Sequence, residues 1–195
     1  YRAEGQAFPA DAAANGAGAV VVPRPVAVDV PQILVPDTRR ALAPLAAVVH
    51  GHPSERLRVV GVTGTNGKTS VTFFVEALAA HVGWKTGLVG TVQTRIGRDV
   101  IPTLPAGSAR DVDVVSVEVS SHALTLGRVD ETRFEVAAFT NLTQDHLDFH
   151  GDMETYFAAK ESLFTPERAR RAVVCVDDPY GRRLAASTAL PVLTV

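Results

Sequence analysis

A glycine-rich segment between a buried strand and a helix constrains this chain more than any other feature. Residues 61–70 read GVTGTNGKTS, and the apolar run Leu57–Val62 leads into them. The stretch Val71–Ala80, which follows, has helical periodicity. A strand, a glycine turn and a helix start can bind phosphate, because backbone N–H groups and the helix dipole both favour an anion there. The sequence therefore predicts a nucleotide-binding α/β fold.

This loop departs from the commonest phosphate-loop pattern, which requires glycine where the chain has Val62. We expect Lys68 to reach the β- and γ-phosphates of ATP, and the hydroxyl of Thr69 to hold Mg²⁺. The backbone N–H groups from Thr65 to Lys68 are expected to point into one concavity. A plain strand-to-helix turn explains the two glycines but not the adjacent lysine and threonine. The predicted phosphate contacts are Gly64, Thr65, Asn66, Gly67, Lys68, Thr69 and Ser70.

The bulk composition narrows the class of protein. A length of 195 residues suits one good core or two small domains. The net charge of −2 gives no reason to expect nucleic acid or a membrane surface as a partner. The single Cys175 excludes an internal disulfide framework and fits the cytoplasm. No apolar run approaches the ~20 residues of a membrane span, and the first residue, Tyr1, favours an excised segment.

Strands alternate with helices from residue 55 onward, which predicts a mostly parallel sheet covered by helices on both faces. Residues 1–54 are expected to form part of a small α/β amino-terminal domain, and residues 55–195 part of a central domain. A hairpin is predicted to turn at Gly97. The predicted strands are 19–22, 32–35, 57–62, 86–89, 112–119, 136–141 and 172–176, and the predicted helices are 8–15, 39–50, 71–80 and 153–164.

One connection does not fit a parallel sheet. A crossover into strand 112–119 needs about a dozen residues, usually a helix. Residues 102–111 contain Pro102, Pro105 and Gly107 and cannot supply one. Either the strand order differs there or residues are missing near Leu104–Pro105, and we favour missing residues.

Polar side chains follow two of the predicted strands, at the sheet edge where ligands bind in open α/β folds. Glu118 ends one strand and is the expected second Mg²⁺ contact beside Thr69, although alone it would be a solvated strand-end residue. Ser120, Ser121 and His122 follow it directly. After the next strand come Asn141 and, further along, His146 between Asp145 and Asp148. His146 is a ligand candidate, although Mg²⁺ generally prefers oxygen donors.

Lys160 lies on the apolar stripe of a predicted helix that Asp152 caps. The spacing from Tyr156, Phe157 and Phe164 would desolvate the ammonium and lower its pKa. A partly neutral amine can react with CO₂ and give a carbamate, which is a good Mg²⁺ ligand. Periodicity alone, however, favours a lysine that extends to water from the helix flank.

Three segments together resemble the Mur ligases, the ATP-dependent peptide ligases of peptidoglycan synthesis. They are Gly61–Ser70, Glu118–Leu124 and Thr140–Asp148, and the run Tyr156–Phe164 extends the match. The string EVSSHAL at 118–124 is most similar to members that add the third amino acid of the cell-wall peptide. The resemblance covers about Glu4 to Asp178 and implies a central ATP-binding domain, with residues 1–54 from a UDP-sugar-binding domain.

The resemblance implies a role for each matching residue. Lys68 and the loop amides would hold the ATP phosphates, and Asn141 would line the same site. Thr69 and Glu118 would hold one Mg²⁺, while Glu118, His146 and Lys160 as N6-carboxylysine would hold a second. The residues implied to contact the nucleotide-sugar peptide are Ser120, Ser121, His122 and Arg128.

The implied reaction joins diaminopimelate or lysine to UDP-MurNAc-L-Ala-D-Glu through an acyl phosphate, with ATP, Mg²⁺ and a free amino acid as the other participants. It takes place in the cytoplasm, without nucleic acid or membrane insertion. The family's Thr-Thr-Pro substrate loop is not seen after Thr103. No carboxyl-terminal amino-acid-binding domain follows Val195, so we expect no turnover from this segment alone.

Two other readings stay open. A folylpolyglutamate synthase shares the central fold, but it typically has Gly-Lys-Gly-Ser where this chain has Gly67-Lys68-Thr69-Ser70. A non-catalytic partner subunit could keep the fold without the activity. The joint presence of Lys68, Glu118, His146 and Lys160 argues against that second reading.

Overall fold

The computed structural model describes residues 8–101 and 112–195 of the chain. Its amino-terminal part contains helix α1 (Pro9–Ala14), two parallel strands, β1 (Val20–Val22) and β2 (Gln32–Leu34), and helix α2 (Thr38–His50). The carboxylate of Asp37 caps α2 by accepting hydrogen bonds from the amides of Arg39 and Arg40. These bounds confirm the predicted strands and helices to within one or two residues.

The predicted linker at 51–54 contains the start of a short 3₁₀ helix, Pro53–Glu55. Gly51 ends α2 in the left-handed conformation, with φ of 66°, as helix-terminating glycines commonly do. The two-stranded sheet lies before this segment and the large sheet begins after it. The division into domains at residue 54 stays a prediction.

An eight-stranded sheet forms the main body of the described chain. The strands run in the order β10–β9–β8–β3–β7–β4–β5–β6, and all neighbours are parallel except the pairs β4–β5 and β5–β6. This arrangement confirms the predicted mostly parallel α/β sheet. Its strands are β3 (Arg58–Thr63), β4 (Thr86–Val89), β5 (Thr94–Ile96), β6 (Asp99–Ile101), β7 (Val114–Glu118), β8 (Phe134–Phe139), β9 (Ala169–Val174) and β10 (Val192–Thr194).

Five helices connect the strands of the large sheet. They are α3 (Lys68–His81), α4 (Ser121–Thr125), α5 (Leu147–His150), α6 (Met153–Glu161) and α7 (Pro179–Ser187). The core under α6 and α7 contains Phe134, Phe157, Leu163 and Leu184, whose side chains are fully buried. Helix α3 begins at Lys68, three residues before the predicted start, and α6 ends three residues before the predicted end at Phe164.

Strand register decides which loops meet at the carboxyl edge of the sheet. Val62 lies beside Glu118 across the β3–β7 pair, and Thr63 lies beside Phe139 across the β3–β8 pair. Phe139 in turn lies beside Val174 of β9. The segments that leave β3, β7, β8 and β9 therefore start side by side.

The hairpin β5–β6 turns at Gly97, as predicted, and Gly97 has φ of 55°. The predicted gap near Leu104–Pro105 falls on residues outside the described part of the chain. The sequence analysis did not foresee α7 or β10. None of the helices in the described ranges combines the length and apolar character needed to cross a membrane.

Candidate nucleotide-binding site

The loop between β3 and α3 depends on two glycines. Gly64 has φ of +146° and Gly67 has φ of +83°, which are conformations that residues with a Cβ atom adopt at a cost. A Cβ at Gly64 would also overlap the hydroxyl oxygen of Thr140. Gly64 is therefore required both by its backbone angle and by the close approach of a neighbouring segment.

The neighbouring segment, Thr140–Thr143, grips this loop through several hydrogen bonds. The amide of Thr65 donates to Asn141 O at 2.9 Å, and the amide of Asn66 donates to Asn141 Oδ1 at 2.9 Å. Asn66 O accepts from Thr140 Oγ1 at 2.6 Å and from Asn141 Nδ2 at 3.1 Å. The hydroxyl of Thr65 accepts from the amide of Thr143 at 3.0 Å. The two loops thus form one hydrogen-bonded unit.

This network corrects the predicted cradle of four amides. The amides of Thr65 and Asn66 do not point into a free concavity, because Asn141 accepts from both of them. Among the described residues, the amides of Gly67, Lys68, Thr69 and Ser70 have no hydrogen-bond acceptor. They lie at the positive end of α3, so the amides left free to meet an anion are at the helix start rather than along the whole loop.

Lys68 folds back over the loop. Its ammonium donates to Gly64 O at 2.9 Å and to Thr65 O at 2.8 Å. Partial burial lowers the pKa of Lys68, whereas the carboxylates of Glu118 and Asp145 raise it. The ammonium therefore lies at the loop, within electrostatic range of both carboxylates.

Lys160 is buried, with 1% of its surface exposed, so the reading of a lysine extended to water is wrong. Its ammonium donates to Gly64 O at 2.9 Å and lies 4.6 Å from the centre of the Tyr156 ring. Burial, and to a smaller extent the Lys68 ammonium, lower the pKa of Lys160 to about 7, although Asp145 acts in the opposite direction. An amine with such a pKa is partly unprotonated near neutral pH, which is the condition for reaction with CO₂.

Glu118 ends β7 beside the loop. Its Oε1 accepts from the amide of Thr91 at 3.2 Å, and its Oε2 accepts from the Thr91 hydroxyl at 3.2 Å. Within residues 8–101 and 112–195, no three His, Cys, Asp or Glu side chains are arranged to hold a metal ion. Mg²⁺ in nucleotide sites is usually bound by one or two protein oxygens together with substrate phosphates. The carboxylate of Glu118 and the hydroxyl of Thr69 are donors of this kind.

A cluster of rings borders the same edge. The His122 ring stacks on Phe149 with centroids 4.0 Å apart, and it meets His146 edge-on at 4.9 Å. Burial lowers the pKa of His122, and the nearby His146 lowers it further. His146 has φ of 51°, and its Nε2 lies 3.4 Å from Asp145 Oδ2. The structure therefore brings together the predicted residues His122 and His146.

The other predicted substrate residues lie around α4. The Ser120 hydroxyl caps α4 by accepting from the amide of Ala123 at 3.1 Å. Ser121 is buried, and its Oγ lies 2.9 Å from Nε2 of His150. Arg128 is exposed, and its charge lowers the pKa of His122. Ser120 and Ser121 thus make internal contacts, whereas Arg128 is accessible.

Sequence reasoning missed four residues that support the site. His150 is buried beside Ser121, and the Tyr156 hydroxyl lies 3.3 Å from Thr65 Oγ1. Asp145 acts electrostatically on both lysines, and Asp178 accepts from the amide of Leu142 at 2.9 Å. Two signals were present in the sequence: His150 lies four residues after His146, and Asp178 precedes a proline, as helix-capping residues often do.

Comparison with known proteins gives consistent matches. The model of the Mur ligase middle domain matches residues 62–195. The UDP-N-acetylmuramoyl-L-alanyl-D-glutamate–2,6-diaminopimelate ligase of Geobacillus kaustophilus is 44% identical, over all of this chain and 44% of its own length. A solved structure of a ligase with the same name is 29% identical with a TM-score of 0.78, covering 95% of this chain and 42% of the other.

Folate ligases share the fold at a greater distance. Escherichia coli FolC, solved with DHPP and ADP, is 20% identical with a TM-score of 0.60, covering 80% of this chain and 46% of its own. At that identity the likeness concerns the fold alone. The chain spans less than half the length of the curated relatives it matches. Because the family model matches residues 62–195 and a curated member is 44% identical along the whole chain, this chain belongs to the Mur ligase family.

Proposed function

We propose that the full-length protein is an ATP-dependent ligase that adds the third amino acid to UDP-MurNAc-L-Ala-D-Glu in peptidoglycan synthesis, in the cytoplasm. The main observation behind this proposal is that the ammonium groups of Lys68 and Lys160 both donate to the carbonyl oxygen of Gly64. One lysine belongs to a phosphate loop and the other is buried with a pKa of about 7. Of the two amines considered, we propose diaminopimelate, because the relatives described above are named for it.

In this proposal the ATP phosphates bind at the start of α3. The free amides of Gly67, Lys68, Thr69 and Ser70 supply donors, and the Lys68 ammonium exchanges its loop carbonyls for phosphate oxygens. Gly64, Thr65 and Asn66 shape the loop, and Asn141 holds Thr65 and Asn66 in place. All the predicted loop residues remain part of the proposed site, but Thr65 and Asn66 shape the loop instead of donating their amides to phosphate.

Thr69 and Glu118 would hold Mg²⁺, because a hydroxyl and a carboxylate are hard oxygen donors beside the proposed phosphates. The ion would neutralise phosphate charge. We propose His146 and Lys160 as further ligands. Lys160 would first attack CO₂ through its free amine, forming an N–C bond and releasing a proton, which yields the N6-carboxylysine oxygens that a metal requires. The unmodified ammonium would instead repel a cation.

The proposed chemistry has two steps. A carboxylate oxygen of the substrate's D-Glu attacks the γ-phosphorus of ATP, and the bond to the β–γ bridging oxygen breaks to release ADP. The amine of the amino acid then attacks the acyl carbon, loses a proton and expels phosphate. The chain's part is to hold the phosphates and offset their charge near the carboxylate.

The substrate peptide is proposed to approach from α4. Arg128 is exposed and can pair with an anionic group, while Ser120 caps α4 and His122 lies within it. Ser121 is buried and would support this surface indirectly, through its contact with His150. Residues 1–54 are proposed to contribute to a UDP-sugar-binding domain, and residues 55–195 to the central ATP-binding domain.

A reconstituted assay tests the proposed function. The full-length protein is incubated with ATP, Mg²⁺ and UDP-MurNAc-L-Ala-D-Glu, with diaminopimelate, lysine or glutamate in parallel, and products are identified by mass spectrometry. We expect the diaminopimelate tripeptide with stoichiometric ADP and phosphate, and none from Lys68→Met. If product formed with lysine but not with diaminopimelate, the proposed amino-acid substrate would be lysine. Glutamate addition to a folate acceptor, with no tripeptide, would replace the proposal with the folylpolyglutamate reading.

A further inference from the structure

The carboxylate of Asp178 bridges two segments of the chain. Its Oδ1 accepts from the amide of Gly181 at 2.8 Å, which caps α7. Its Oδ2 accepts from the amide of Leu142 at 2.9 Å, in the segment after β8. These partners lie in different connections of the sheet, so a single side chain ties the start of α7 to the Thr140–Thr143 segment.

The Leu142 peptide lies within the segment that grips the phosphate loop. Asn141, the preceding residue, accepts from the amides of Thr65 and Asn66, and Thr143, the following residue, donates to the Thr65 hydroxyl. The Leu142 side chain is buried in the core. The bond to Asp178 therefore holds this run from the side of α7 rather than from the loop.

The other end of the bridge is rigid. A Cβ at Gly181 would overlap Cys175 O, so the first turn of α7 packs directly on the backbone that leaves β9. The Arg182 guanidinium donates to Val176 O at 2.8 Å and to Asp177 O at 2.9 Å. The amide of Cys175 donates to Phe139 O at 3.0 Å, which continues the β8–β9 pairing up to this turn. Asp178 is thus held from both sides.

We infer that Asp178 is a positioning residue for the nucleotide phosphates, acting through Leu142 and Asn141 on the loop at Thr65 and Asn66. The inference rests on the proposed function, because it assumes that this loop binds a nucleotide. Without the carboxylate, the partly buried amide of Leu142 loses its acceptor, and a polar group left unpaired in this way favours rearrangement of its segment. Asn141 would move with it.

A plain helix cap is the alternative role. Asp37 and Asp152 show what such a cap looks like, since within the described ranges each accepts only from amides of its own helix. Asp178 differs because its second oxygen accepts from a residue 36 positions away. The two roles predict different results for substitutions that keep or remove the cap.

Three variants of the full-length protein separate the roles. Asp178→Ser keeps one oxygen, which can cap α7 but cannot also reach Leu142. Asp178→Ala removes both bonds, and Asp37→Ala removes a cap that is unrelated to the loop. Calorimetry gives the ADP dissociation constant, steady-state kinetics gives KM for ATP and for the nucleotide-sugar peptide, and thermal unfolding gives Tm.

We expect Asp178→Ser to raise the ADP dissociation constant and the KM for ATP about fivefold, the value of one hydrogen bond of about 1 kcal/mol. Its KM for the nucleotide-sugar peptide should stay close to wild type. Both Asp178→Ser and Asp37→Ala should lower Tm, but Asp37→Ala should leave the ADP dissociation constant and the KM for ATP unchanged. Wild-type nucleotide affinity in Asp178→Ser would overturn the positioning role. A wild-type protein that binds neither ADP nor ATP would instead refute the proposed function.

Discussion

At the scale of single residues, Lys68 and Lys160 donate to one carbonyl oxygen, that of Gly64. Two ammonium groups on one acceptor repel each other, and burial adds to the cost of charging Lys160. Deprotonation of Lys160 relieves both effects, in agreement with its pKa of about 7. The state of Lys160 therefore affects the charge that the phosphate loop presents.

Lys160→Met should stabilise the full-length protein at low pH. Below pH 7 Lys160 is protonated in both the folded and the unfolded state, so the folded state carries the full cost of a buried ammonium. Between about pH 7 and its ordinary value of 10.5, the unfolded state binds more protons, so wild-type stability rises with pH. We expect the variant to gain roughly 1–3 kcal/mol at pH 6 and less at pH 9.

Urea unfolding in CO₂-free buffer at the two pH values measures this difference. Lys85→Met, which replaces an exposed lysine, is the matched control and should show no pH-dependent gain. If Lys160→Met and wild type had parallel stability curves, the ammonium would not be destabilising in the folded state.

Gly64→Ala should disrupt the loop. The new Cβ would overlap Thr140 Oγ1 at a backbone angle that alanine rarely adopts, so we expect a loss of about 3 kcal/mol in unfolding free energy. ADP affinity measured by calorimetry should fall more than about tenfold. Gly83→Ala is the control, because Gly83 also has positive φ but open space around it, and it should cost only about 1 kcal/mol. Equal losses in the two variants would mean that the contact with Thr140 is unimportant.

At the scale of elements, a buried ion pair fastens the β5–β6 hairpin to helix α3. Glu76 of α3 is buried and pairs with Arg95 of β5, while Thr86 Oγ1 donates to its other oxygen at 3.2 Å. The Arg95 guanidinium also lies 4.8 Å from the centre of the Phe73 ring. The pair therefore holds the antiparallel edge of the sheet against the helix that follows the phosphate loop.

Arg95→Met should destabilise the full-length protein by about 3 kcal/mol, because it leaves the Glu76 carboxylate buried without its cation. Adding Glu76→Met should restore much of that loss, since the uncompensated charge is then gone. Unfolding free energies of the two single variants and the double variant give the coupling. Glu154→Gln, which breaks the exposed pair with Arg183, should cost less than about 1 kcal/mol. A double variant less stable than Arg95→Met would contradict this account.

The local sequence pattern predicted most of the helices and strands, but few of the contacts between them. The Asp152 cap, the helix that carries Lys160 and the turn at Gly97 follow from residues within a few positions of each other. The spacing to Tyr156 and Phe157 also predicted a desolvated Lys160, but not its acceptor, because Gly64 O lies 96 positions earlier. The bond from Leu142 to Asp178 spans 36 positions and has no periodic signature. Such contacts depend on strand order, which the periodicity of a single sequence does not encode.

At the scale of the whole molecule, the strand order explains why the predicted residues meet. The β3 strand lies between β7 and β8, so Glu118 and Asn141 flank the loop that follows Thr63. The sequence analysis placed each of them at a strand end on the edge of the sheet where ligands bind, and it relied on the family resemblance for the role of Asn141. The family and the mostly parallel sheet are confirmed, whereas the roles of the individual side chains stay proposals.

The comparison also bears on the connection that did not fit. The alignment with the Geobacillus kaustophilus ligase covers 214 residues, more than the 195 of this chain, although it includes all of the chain. That relative therefore has internal residues that this chain lacks. The alignment length does not place those residues along the chain, and the expectation of missing residues near Leu104–Pro105, outside the described ranges, stays a prediction.

The folded-back position of Lys68 has a consequence for nucleotide affinity. Its ammonium already has two carbonyl partners, so a phosphate oxygen replaces existing hydrogen bonds rather than adding new ones. If Lys68 binds phosphate as proposed, its contribution to the binding free energy is the difference between two sets of contacts, which is smaller than the full strength of an ammonium–phosphate pair. Under the proposed function, nucleotide release would return Lys68 to the carbonyls of Gly64 and Thr65 in its own loop.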